Sequence, residues 1–402
     1  MTVSPAPTPF RIAVPDAVLA DLKERIARTR WPHEAKAPPW RYGASLAYLR
    51  RVADHWLNRY DWRRAEAAIN RFPQFQARLG AGLGGHLAES GGVRVHFIME
   101  RGSGPNPMPL ILTHGWPGSF AEFLEVIEPL AHPERFGGDV KDAFTVVVPG
   151  IPGYGFSESP AAPVTPIDVA AMWDELMTRV LGFDRYVAQG GDWGGIITSY
   201  MGLNHPGRLT AIHINMVGFM PNLGPGSEPL DDEESAWRTA NDRQRAKETA
   251  YAQMHSTKPQ TVAYPLTDSP MGLAAWILEK FHGWTVGVND PPKPVDPPFD
   301  LDKLLDNVML YWINGINGAN WLYVSFQDPT LRVPPAGKRV DVPTGILLCP
   351  NDLSIPAPER WIRRMYANVE RRVAPRGGHF IAFEEPQLFV DEVRRYFRAH
   401  GR

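Results

Sequence analysis

The sequence predicts an α/β fold in which a mainly parallel sheet is covered by helices on both faces. A mostly helical insertion interrupts the fold once, and a helical arm precedes it. Three observations predict this. From about residue 91, short apolar runs alternate with helical patterns. The alternation stops at about 221 and resumes at about 341. The stretch 185–200, RYVAQGGDWGGIITSY, reads as a buried strand, a glycine-crowded sharp turn and the start of a helix, with one carboxylate, Asp192, at its tip.

Residues 1–90 form the expected arm. Beyond a stretch broken by Pro5, Pro7, Pro9 and Pro15, Asp16 can cap a helix whose Leu19, Leu22 and Ile26 share one stripe and which ends before Trp31-Pro32. Leu46, Leu49, Val52 and Trp56 recur at helical spacing after Ser45; Asp61 opens a third helix with Trp62 and Ile69, which stops before Phe72-Pro73. No catalytic constellation appears here, so these helices are expected to pack their apolar faces on the main domain. The first part of the core, 91–220, holds strand candidates at 93–99, 110–113, 144–148, 185–189 and 209–216, with helices at 120–130, 167–181 and 195–204. The cap, 221–340, holds a charged helical region, apolar helical stretches and the run Pro291-Pro292-Lys293-Pro294. The rest of the core, 341–402, supplies strands at 343–348 and 369–374 and helices at 358–366 and 386–400.

The composition excludes several function classes. A chain of 402 residues with 44% hydrophobic content and a formal charge of −2 has no long basic run, which argues against a nucleic-acid partner. No segment approaches a membrane span, and the proline-broken N-terminus lacks the apolar core of a signal peptide, so a cytoplasmic location is expected. One cysteine, Cys349, excludes an intramolecular disulfide. No cofactor or metal is expected: Gly150, Gly153 and Gly155 lack dinucleotide-fingerprint spacing, Gly337-Lys338 is followed by Arg339 rather than Ser or Thr, and there is no HExxH.

The turn at 190–195 has the small-x-nucleophile-x-small pattern of an α/β-hydrolase elbow, where Gly190-Gly191 and Gly194-Gly195 let the chain take strained dihedrals. Aspartate at the tip makes the covalent intermediate an alkyl ester of the protein's own side chain, formed by attack on saturated carbon. That narrows the chemistry to opening an epoxide or displacing a halide. A base and an acid are expected at later strand ends: Asp352 follows GILLCP, and His379 follows VERRVA, so the three run in the order 192, 352, 379. Asp341 and Glu384 lie near Asp352 in sequence, but Asp341 precedes its strand. For the oxyanion hole, the expected donors are the backbone N–H groups of Trp193 and of Trp116, in the His114-Gly115-Trp116-Pro117 turn after an earlier strand.

PFRIAVPDAVLADLKERIARTRWP, HGWPGS, GGDWGG, YAQMHSTKP, DSPMGLAAWILEKF, NVMLYWING and RGGHFIAFEEP together resemble epoxide hydrolases of the microsomal type, related to fungal and insect juvenile-hormone epoxide hydrolases, nearly from end to end. The resemblance implies that an apolar epoxide is hydrolysed with water to a vicinal diol through an ester on Asp192. It also implies that two cap tyrosines, Tyr251 in AYAQMHSTKP and Tyr323 in WLYVSF, donate to the epoxide oxygen. The mammalian relatives carry an N-terminal membrane anchor; here the helical arm begins almost at once, so no anchor is expected. An arm able to reach around a neighbour fits a homodimer. Two rival readings are a haloalkane dehalogenase, which shares the Asp-Trp elbow, and a non-catalytic homologue that binds a hydrophobic ligand.

Overall fold

The computed structural model describes residues 6–287 and 293–401; Pro5, Pro291 and Pro292 lie outside the described residues. Nine strands form one sheet in the order β1-β2-β3-β5-β4-β6-β7-β8-β9. They are β1 (Thr8–Phe10), β2 (Gln74–Leu79), β3 (Val93–Glu100), β4 (Met108–Thr113), β5 (Phe144–Pro149), β6 (Tyr186–Gly190), β7 (Leu209–Ile214), β8 (Thr344–Leu348) and β9 (Val369–Val373). All pairings from β5 through β9 are parallel, while β1, β2 and β3 add antiparallel strands at one edge. The seven strands expected from the sequence all form. β5 and β6 are buried along their whole lengths, as strands covered on both faces must be, which is why they read as continuous apolar runs.

The arm differs from the expectation in three ways. It is not helical throughout, because β1 and β2 extend the sheet beyond β3. The three residues of β1 are too few for a pattern to stand out, whereas β2, QFQARL, does alternate polar and apolar residues and was the signal available; β2 pairs with β3, and β1 with β2. Its helices, Asp16–Ala27, Leu46–Asn58 and Trp62–Ile69, meet the inserted helices Pro270–Gly283 and Leu301–Asn314 rather than only the main domain. Tyr60 donates to Asp306 at 2.7 Å, His55 lies 2.6 Å from Asp302, and Arg25 pairs with Asp268 at 2.7 Å. Periodicity shows which face of a helix is apolar but not what covers it. Finally, Asp16 is the first helical residue rather than the cap and pairs with Arg63, whereas Ser45 and Asp61 do cap, accepting from the N–H groups of Tyr48 and Arg63.

The insertion lies between β7 and β8 and is tied to the loops that follow β4 and β8. Asn307 donates to the Pro117 carbonyl at 2.8 Å and accepts from the Ser119 hydroxyl at 2.7 Å. Tyr311 donates to the Gly118 carbonyl at 2.7 Å, and Trp237 Nε1 donates to the Ile355 carbonyl at 3.1 Å. Among the described residues, no helix is long and apolar enough to cross a membrane.

Candidate active site

Strand β6 ends at Gly190, and the helix Trp193–Asn204 begins two residues before the expected start at 195. Asp192, its N-cap residue, has φ 51°; among the described residues Trp40 is the only other non-glycine at positive φ. The strain therefore sits on the aspartate itself, a conformation costing about 1–3 kcal/mol that the surroundings must hold in place. None of the four elbow glycines has positive φ, contrary to the expectation that they absorb the strain. They are needed for close approach: a Cβ on Gly194 would run into the Thr113 carbonyl of the neighbouring strand. Gly115 has the same reason, since a Cβ there would strike the Asp192 side chain. With that approach open, the Trp116 N–H donates to Asp192 Oδ1 at 2.9 Å. The Trp193 N–H forms no hydrogen bond to this carboxylate among the described residues, but as the first helical residue it has no intrahelical acceptor either.

His379 follows β9 and Asp352 follows β8, and the sheet brings both to the elbow. Asp352 Oδ1 lies 2.8 Å from His379 Nδ1, and the same oxygen accepts from the Leu353 N–H at 2.6 Å. His379 Nε2 lies 3.3 Å from Asp192 Oδ2, an ion-pair contact without hydrogen-bond alignment. Glu384, the other nearby carboxylate, accepts from the backbone N–H groups of Gly378 and Phe380, each at 2.9 Å. It thus grips the chain on both sides of His379 while Asp352 takes the ring. The His379 N–H donates to the Trp284 carbonyl at 2.9 Å, completing a rigid mount. Burial alone would lower the His379 pKa, but the hydrogen bond to Asp352 and the charges of Asp352 and Asp192 outweigh it and lift it to about 10.

Asp192 borders two separate cavities. The larger, about 260 Å³, is lined by Trp193, Tyr251, Tyr323, Phe219, Trp237 and Phe326, among others. The two tyrosine hydroxyls lie 3.1 Å apart. Tyr251 stacks on Trp116 with ring centres 4.3 Å apart, and Tyr323 stands edge-on to Trp193 at 4.9 Å. Burial, reinforced by nearby acidic groups including Asp192, pushes both phenols well above their ordinary range, so they stay protonated donors. The smaller cavity, about 10 Å³, is lined by Asp192, His379, Trp116, Glu122 and Asn215 among others. That is about the room one water needs, and the wall is polar.

Two family models match the chain: one described as "Epoxide hydrolase N terminus" over residues 7–123, the other as "alpha/beta hydrolase fold" over 108–265. A Stigmatella aurantiaca protein bearing an epoxide hydrolase name is 40% identical over 97% of this chain and 84% of its own length. The chain belongs to the epoxide hydrolases. Epoxide hydrolase 1 of Sus scrofa is 32% identical over 96% of this chain and 88% of its own length. Among solved epoxide hydrolases, the juvenile hormone epoxide hydrolase of the silkworm Bombyx mori superposes with a TM-score of 0.82 at 28% identity, covering 98% of this chain and 95% of that one. The Aspergillus niger epoxide hydrolase gives 0.80 at 29%, covering 99% and 98%. The α/β-hydrolase fold expected from the sequence is thereby shown.

The structure also adds residues to this candidate site that the sequence did not single out. Glu122 is half-buried beside the smaller cavity; enclosure of its carboxyl, with the Asp192 charge adding to it against the relief from His379, pushes its pKa to about 8. An acidic residue inside the apolar run Phe120-Ala-Glu-Phe-Leu124 was the signal available. Asn307 and Tyr311 fasten residues 117–119, immediately after the Trp116 donor, to a cap helix. Among the described residues no cluster of three or more His, Cys, Asp or Glu side chains is disposed to hold a metal ion.

Proposed function

We propose that the protein hydrolyses an apolar epoxide to a vicinal diol through a covalent ester on Asp192. The observation carrying this reading is that Asp192 separates a cavity holding two tyrosine hydroxyls from a water-sized one holding His379 and Glu122. Substrate and water can then approach the same carboxylate from different sides. Trp116 holds Oδ1, so Oδ1 becomes the carbonyl oxygen of the ester and Oδ2 attacks an epoxide carbon. The carbon–oxygen bond breaks as Tyr251 and Tyr323 donate to the departing oxygen, since a free alkoxide is a poor leaving group in a dry pocket. Asp192 stands at the N-terminus of the helix beginning at Trp193.

In the second step His379, held in one tautomer by Asp352, takes a proton from water, whose oxygen adds to the Asp192 carbonyl carbon. The oxyanion is held by the Trp116 N–H and by that of Trp193, which is otherwise free to donate. Collapse expels the diol, carrying Oδ2 with it, and His379 returns the proton. Paired tyrosine donors beside the nucleophile favour an epoxide over a haloalkane, whose departing halide needs no proton. A single turnover in heavy-oxygen water with excess enzyme tests the scheme: label enters Asp192 and not the diol. Label appearing first in the diol means direct attack by water and ends the covalent reading. Turnover of a chloroalkane but not of styrene oxide would select the dehalogenase instead.

A further inference from the structure

The larger cavity is mostly apolar, yet two guanidinium groups line it, Arg245 and Arg332. Neither forms an ion pair among the described residues. The carboxylates that share the lining are all engaged elsewhere: Asp192 with Trp116 and His379, Asp352 with His379, and Asp242 with Arg238 at 3.7 Å. Arg245, at the end of the helix Asp232–Arg245, donates to the Ser354 hydroxyl at 2.6 Å. Arg332 is half-buried, its guanidinium carbon 4.2 Å from the Phe326 ring centre, and its Nε–H is enclosed with no acceptor. Stacking on Phe326 satisfies the face of the guanidinium but none of its five in-plane donors. Its main chain is also fixed, because the Arg332 carbonyl accepts from the Met220 N–H at 2.9 Å.

A half-buried cation without a counter-ion is costly unless something brings the charge and acceptors it lacks. Burial, together with the Arg245 charge, holds the Arg332 pKa below its usual value, so the two cations sense each other across the cavity. We propose that the otherwise apolar substrate carries a carboxylate remote from its epoxide, with Arg332 and Arg245 receiving the carboxylate while the epoxide lies against Tyr251, Tyr323 and Asp192. The planar fork of an arginine matches a carboxylate in two parallel hydrogen bonds, and the apolar wall between suits a hydrocarbon spacer. This inference rests on the epoxide reading of Asp192 but concerns a separate part of the wall.

The test compares a medium-chain terminal epoxy acid with its methyl ester. The kcat/KM ratio of acid to ester is expected to be about tenfold or more in the native protein, to fall to about one in Arg332→Met, and to recover in part in Arg332→Lys. A ratio cancels any general loss of activity in a variant. The KM of the acid should also rise with ionic strength while that of the ester does not, a readout on the native protein that depends on no variant folding. Equal kcat/KM for acid and ester, or a ratio that Arg332→Met leaves in place, overturns the proposal. Binding of decanoate and methyl decanoate, followed by quenching of the cavity tryptophans Trp193 and Trp237, separates the two readings. If no epoxide is turned over but decanoate binds about tenfold more tightly than its ester and Arg332→Met removes the difference, the anion site stands and the epoxide reading falls. If decanoate and its ester bind alike, the anion site falls.

Discussion

Removing the two cap hydroxyls is the sharpest perturbation of the proposed first step. Tyr251→Phe and Tyr323→Phe delete one oxygen each and keep the rings. Tyr251 remains stacked on Trp116 at 4.3 Å, and Tyr323 remains edge-on to Trp193 at 4.9 Å and Trp116 at 5.9 Å, so packing is preserved. The hydroxyls lie 3.1 Å apart, close enough for both to reach one oxygen. A donor aimed at developing charge is worth about 2.7–4 kcal/mol, roughly 10²- to 10³-fold in rate. Because the two share a single oxygen, each single variant leaves the other donor in place and should slow alkylation by the lower end of that range, while the double variant nearly abolishes it. Their coupling makes the effects non-additive. Alkylation can be followed by stopped-flow quenching of tryptophan fluorescence, since Trp193 lines the same cavity. Ester hydrolysis does not draw on these donors to the same extent and should change far less. If the double variant alkylates at near the native rate, the tyrosines only line the pocket and the proton donor lies elsewhere in the cap.

The two remaining predictions concern the water side of Asp192. His379→Gln should block hydrolysis of the ester more than its formation, so intact mass after substrate addition should show an adduct of substrate mass; unmodified protein with rapid turnover removes His379 from the role. Glu122 is protonated below about pH 8 and ionises above it, placing a second negative charge beside Asp192. The alkylation rate should therefore show an inflection near pH 8 that Glu122→Gln lacks, and ester hydrolysis in that variant should slow about fivefold through a weakened hydrogen bond to water. An unchanged pH profile in the variant rules out Glu122 as the source.

Much of the candidate site was legible because its residues occupy positions that the fold makes special. Asp192, Asp352 and His379 each follow a strand whose apolar run is visible in the sequence, and parallel strands deliver their C-terminal ends to one side. Trp116 could be read for the same reason, as the residue beyond β4. Tyr251 and Tyr323 could not be found this way, because they sit on a helix and a short helical turn of the insertion, where nothing in local periodicity distinguishes them from ten other tyrosines. Only the resemblance singled them out. Glu122 and Arg332 escaped for a related reason: each matters through what surrounds it, and neither enclosure nor the lack of a counter-ion leaves a mark in sequence. Strand β1 and the contacts of the arm with the insertion were hidden because they are pairings between distant segments.

The charge state of His379 connects the two proposed steps. In the resting site burial opposes the imidazolium, and the carboxylates of Asp352 and Asp192 together hold it protonated to about pH 10. A histidine so charged cannot serve as a base. Alkylation changes that, because Asp192 becomes a neutral ester and one of the two anions supporting the proton disappears while burial remains. The imidazolium is then held by Asp352 alone, so its pKa falls at the moment when a base is needed. Proton accounting agrees with this: forming the hydroxyalkyl ester consumes one proton at the epoxide oxygen, and His379 has one to release. Hydrolysis then regenerates the Asp192 carboxylate and liberates one proton, which His379 takes up, restoring the pair. Over the two proposed steps the proton consumed at the epoxide oxygen equals the one liberated in ester hydrolysis, so the cycle returns His379 and Asp192 to their starting charges.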